Sequence, residues 1–144
     1  MRAKGTSASL RLRRLAAAGF ALLFLAGIHG PSASANEPRI VNARVVKIGK
    51  ESYIFEVTVA HADDSWDHYL DKWEVVGPGG KILGTRVLFH PHIGESHFTR
   101  AIRGLVVPAG VEHVIIRVHD KVHGYGPEKL VAMPTDANPD TGWK

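Results

Sequence analysis

The sequence predicts an all-β protein, an immunoglobulin-like antiparallel β-sandwich of about seven strands behind a cleaved leader. Three observations carry this. Apolar side chains alternate with a two-residue period along the chain after Ile40, Gly- and Pro-rich turn signals divide the alternating stretches at short intervals, and no helical stripe follows the leader.

Met1 to about Ala35 has the three parts of a secretory signal. Arg2, Lys4, Arg11, Arg13 and Arg14 form a basic beginning, Leu15 to Ile28 is an apolar run, and Ala33-Ser34-Ala35 offers a small-residue cleavage site before Asn36. The apolar run falls short of the about 20 residues that span a bilayer, so it reads as a signal and not as an anchor. A periplasmic or secreted location follows. The residues after Arg13-Arg14 match the twin-arginine export pattern poorly, which favours ordinary secretion.

Residues 36–134 form the expected domain. Ile40 to Ile48 is rich in Val and Ile and ends at the turn Gly49-Lys50. Tyr53, Phe55, Val57 and Val59 alternate with Ile54, Glu56, Thr58 and Ala60, the pattern of a half-buried strand. Trp73 to Val76 begins a middle strand with Trp73 as its buried aromatic. Gly77-Pro78-Gly79-Gly80 is a tight turn, and Ile82 to His90 returns from it. Phe98 to Val107 closes at Pro108-Ala109-Gly110. Val114, Ile116 and Val118 then alternate with His113, Ile115 and Arg117, and Lys129 to Met133 is the last strand. Residues 135–144, with Asp, Asn, Pro and Gly, read as a flexible tail.

The formal charge of +4 belongs to the leader. Five of the 18 Lys and Arg residues precede residue 36 and all 14 acidic residues follow it, leaving 13 basic against 14 acidic side chains, a charge of −1. A near-neutral domain gives no reason to expect nucleic acid as a partner, or a membrane once the signal is cleaved. The chain has no cysteine, which excludes disulfides, thiolate nucleophiles and Cys-held zinc or iron–sulfur clusters. Any metal must use His, Asp, Glu or Tyr.

The positions of the histidines are more informative than their number. With the strands running alternately up and down, the loops after Ala60, His90 and His119 open at one pole. His61, His68, His90, His92, His97, His119 and His123 all fall there, and only His113 falls at the other. Neutral imidazole is the commonest protein ligand for zinc, copper, nickel and iron, and loops on a rigid sandwich bring such groups together. The expected ligands are His61, His68, His90, His92, His119 and His123, with Asp120 as a ligand or an orienter. Asp63 and Asp67 are further candidates for either role. Other motifs carry less. Gly77 to Gly80 lacks the Lys-Ser/Thr and helix of a phosphate loop, Asp71 and Glu74 read as solvated charges, and no motif sets a catalytic triad.

Two stretches resemble a known family. His61 to Trp73 (HADDSWDHYLDKW) resembles the His…His-Tyr-Ile-x-Trp stretch of the desulfoferrodoxin/neelaredoxin superoxide reductases, and Asp120 to Tyr125 (DKVHGY) resembles their Cys-Asn-x-His-Gly-Leu-Trp segment. The resemblance extends over about residues 53 to 133. It implies an immunoglobulin-like sandwich whose loops hold a mononuclear iron through four His and an axial Cys, with the sixth position open to superoxide. By that resemblance His61, His68 and His123 are ligands, with His90, His92 or His119 in place of the family's first His, which has no counterpart here. Asp120 stands where the family has its axial Cys, and the His61 to His68 spacing is one residue longer than usual.

The expected function is therefore that of an exported periplasmic protein with a His-rich mononuclear site for iron, copper or zinc. A superoxide-reductase-like oxidoreductase using iron or copper is the enzymatic alternative, and a metal-free protein-interaction module is the third.

Overall fold

The computed structural model describes residues 36–143, so the leader expected over residues 1–35 lies outside the described residues. Nine strands follow in order: β1 (Arg39–Lys47), β2 (Ser52–Ala60), β3 (Leu70–Val76), β4 (Ile82–Val87), β5 (His97–Val106), β6 (His113–Asp120), β7 (Gly124–Tyr125), β8 (Lys129–Ala132) and β9 (Asp140–Trp143). They form two antiparallel sheets. One has the order β5-β2-β1-β9. In the other β4 pairs with β3 and β3 with β6, while β7 and β8 share the far edge of β6.

The all-β class is thus observed, with two strands beyond those expected. β7 is too short to leave an alternation pattern. β9 lies in the segment expected to be a flexible tail and corrects that expectation. It pairs with β1 from Ala43↔Trp143 to Val46↔Asp140. Arg44 grips Asp140 at 2.5 Å, Lys47 pairs with Asp136, and the Lys47 N–H donates to the Pro139 carbonyl at 2.8 Å. Four residues cannot display a convincing period, so only the partner strand reveals this one.

The core lies between the sheets. Phe55, Val57, Val59 and Phe98 come from the first, and Leu70, Trp73, Val75, Val114, Ile116 and Val118 from the second. β2 and β6 bury alternate residues, and β1 departs from the two-residue period where its register shifts. Ile40 and Ala43, three apart, both face inward because β1 bulges between Ile40 and Asn42. β5 has an irregularity opposite Tyr53 and Ile54, next to Gly104, whose φ of 72° suits glycine.

The start of the domain is pinned to the same pole as the histidine loops. The Asn36 side chain donates to the Ala62 carbonyl and accepts from the Ala62 N–H, at 2.9 and 2.7 Å. Pro38 packs against Gly126 so closely that a Cβ there would sit 1.9 Å from the Pro38 carbonyl oxygen.

Candidate metal centre

The inward alternation of the core strands continues past their ends, and this continuation builds the site. Phe55, Val57 and Val59 face the core from β2, and His61 is the next inward position. Val114, Ile116 and Val118 face it from β6, and Asp120 follows. His68 stands two residues before the inward Leu70 of β3. Polar side chains at these core positions meet one another between the sheets, and the β6–β7 turn adds His123.

One ligand atom from each of His61, His68, Asp120 and His123 lies within 4.8 Å of the other three. Asp120 Oδ2 lies 3.4 Å from His61 Nε2 and 2.9 Å from His123 Nδ1. Metal–ligand bonds near 2.1 Å place neighbouring donors about 3.0–3.5 Å apart, so the His61–Asp120 separation fits adjacent positions around one ion, while the His123–Asp120 contact is a hydrogen bond that an ion would replace. The four residues could hold a single metal.

The His61 and His68 imidazoles are each aimed by a carboxylate. Asp63, whose side chain is fully buried, accepts from His61 Nδ1 at 2.5 Å and from the backbone N–H of Leu70 and of His92 at 3.0 and 2.7 Å. The exposed Asp64 accepts from His68 Nδ1 at 3.0 Å. With their Nδ1 protons committed, both rings turn Nε2 inward as a lone-pair donor. Both Nε2 atoms are buried and have no hydrogen-bond partner. Burying such an atom unpaired costs about 1–3 kcal/mol, a cost that a bound ion removes.

Asp120 is kept as an anion despite complete burial. Burial pushes its carboxyl upward, but the backbone N–H of His123, the His123 side chain and the backbone N–H of Val122 together hold it below the usual carboxylate range. The two backbone groups bind Oδ1, at 2.5 and 2.6 Å, which leaves Oδ2 facing the imidazoles.

Three of the expected ligands lie elsewhere. His119 has the opposite parity to Val118 and Asp120, so it stands on the outer face of its sheet, bonded to Asp71 at 2.7 Å and edge-on to Tyr125. His90 and His92 pair at 4.8 Å between ring centroids, with His92 stacked on Phe98. Burial, followed by the charges of Arg100 and His90, holds the His92 imidazole below its ordinary pKa. Asp67 is exposed, as is His97, whose Nδ1 meets the Ser96 hydroxyl.

Glu74 departs from the solvated charge that its sequence context suggests. It is 3% exposed on the outer face and accepts from Arg117 at 2.8 Å, Tyr125 at 3.0 Å and Lys72 at 3.2 Å. The signal for this lay in register, since Arg117 is directly opposite Glu74 across β3 and β6.

No family model matches the chain, and no solved structure matches it. The chain is 38% identical over 95 residues to a protein of Halomicrobium mukohataei described as a "Putative lipoprotein". The match spans 66% of this chain and 46% of the relative, so the chain covers about half of that protein's length.

Proposed function

We propose that this chain is an exported immunoglobulin-like β-sandwich that binds one transition-metal ion through His61, His68, Asp120 and His123. The observation that carries the reading is the pair of buried, unpartnered Nε2 atoms of His61 and His68, on two members of a group of four side chains whose ligand atoms lie within 4.8 Å of one another. Export is supported by the leader pattern of residues 1–35 and by the relative described as a lipoprotein. The immunoglobulin-like reading is supported by the two antiparallel sheets and by Trp73, fully buried on the central strand β3.

Three imidazoles and a carboxylate suit iron(II), copper(II) or zinc, and without thiolate or thioether the site has nothing to favour copper(I). The likeness to the desulfoferrodoxin/neelaredoxin iron domain is supported by the gathering of His61, His68 and His123, with Asp120 in the axial Cys position. A superoxide-reductase-like reaction is the second reading. It is favoured by His123, whose side chain is 25% exposed and gives solvent a route to the centre.

Elemental analysis of residues 36–144 from an untagged periplasmic preparation tests the site. About one equivalent of iron, copper or zinc is expected, lost in a His61/His68/His123 triple alanine variant. Protein that holds none of these ions and takes none up overturns the reading. Superoxide decay no faster with metal-loaded protein than with apoprotein removes the enzymatic one.

A further inference from the structure

A second recess lies beside the histidine cluster, at the end of β4 and in the loop that follows. Its cavity of about 100 Å³ is lined by Arg86, His90, His92 and Arg100, together with Val87, Leu88 and Phe89. One water needs roughly 10–15 Å³ of such space, so the recess has room for an ion of several heavy atoms. Four of its seven lining residues are basic or imidazole, and none is acidic.

The two arginines here carry no ion pair. Arg100 is held across the face of Phe98 at 5.1 Å while its Nη1 donates to the Thr99 carbonyl at 2.8 Å, which leaves the rest of the guanidinium fork free. Among the described residues neither Arg86 nor Arg100 has a carboxylate within ion-pair distance. Arg44 and Arg117, by contrast, are both paired. Like charges gathered in a recess repel one another, and an anion between them reverses the sign of that energy. Guanidinium forks match the oxygen spacing of phosphate and sulfate.

We infer that this recess is a binding site for a small oxyanion of the phosphate or sulfate kind, with Arg86 and Arg100 as its principal donors. It is separate from the metal centre and stands whether or not that centre binds metal. The ion has two possible sources. One is a free oxyanion. The other is a phospholipid headgroup, because Phe89, at 79% exposed, and Ile93, at 64%, project beside the recess.

The test is calorimetric titration of the protein, as purified, with inorganic phosphate and with sulfate, alongside flotation with phosphatidylglycerol vesicles. Arg86 is exposed on the edge strand β4, so Arg86→Gln leaves the core intact. Saturable phosphate binding that weakens about tenfold in R86Q, but not in a Lys81→Gln control at the opposite pole, supports a free-ion site. Vesicle binding lost in R86Q and in Phe89→Ser, without saturable phosphate binding, supports a headgroup site. An anion held by metal at the histidine cluster would survive R86Q. Equal weakening by R86Q and K81Q, binding that R86Q leaves unchanged, or the absence of both kinds of binding overturns the proposal.

Discussion

Asp63 has the most demanding position of any side chain in the protein. Fully buried, it serves three donors from three parts of the chain: the His61 ring, the start of β3 at Leu70, and the β4–β5 loop at His92. It therefore ties the loops of the pole together and sets the tautomer of one proposed ligand. An amide has one acceptor oxygen, so Asp63→Asn retains the shape while one of the two carboxylate positions becomes a donor facing a donor. Such outer partners of metal-bound histidines contribute about 10–100-fold in affinity, and Asp63→Asn is expected to weaken metal binding by that factor in chelator competition. Asp67→Asn, exposed in the same loop, is the control and should leave affinity unchanged.

At the scale of elements, the pairing of β3 with β6 has two faces with different chemistry. The inner face holds Trp73, Val75, Ile116 and Val118, and the outer face the cluster of Lys72, Glu74, Arg117 and Tyr125. Burial pushes the Glu74 carboxyl upward, yet the bonds from Arg117, Tyr125 and Lys72 outweigh it and leave it below the ordinary value of 4.5. A carboxyl with a depressed pKa contributes stability that is complete above that value and is lost as pH falls through the folded one. Thermal denaturation of the wild type and Glu74→Gln should therefore differ most near neutrality and converge as pH drops below 4.5. A gap between the two that widens on acidification would contradict this account.

The same strand pair explains how far the sequence was legible. Alternation revealed seven strands and the pole to which their loops belong, because each strand is long enough to show its period. Of the residues expected together, His61, His68, Asp120 and His123 are gathered, while His90, His92 and His119 lie elsewhere. For His119 the missing discriminator was parity. Its neighbour Asp120 continues the inward series of Val118, whereas His119 continues the outward series of Arg117. His90 and His92 lie in an irregular loop around Pro91, where no period exists to read, and Phe98 with Asp63 fixes their place only in three dimensions.

Taken whole, the molecule divides its labour between its ends. One pole carries every described His except His113, the start of the domain at Asn36 and the cationic recess, while tight turns such as Gly77 to Gly80 close the other. The rigid core between them lets loops of irregular structure hold ligand atoms to within a few ångströms, since each loop is anchored on both sides by a paired strand.

The pairing of β9 with β1 also bears on solubility. Without β9, a row of unsatisfied N–H and C=O groups along β1 from Ala43 to Val46 would face solvent and recruit the same edge of a second molecule. Residues 140–143 thus cover this edge of β1. A chain ending at residue 134 is expected to elute in size-exclusion chromatography with a larger share of dimers and higher species than residues 36–144 at the same concentration.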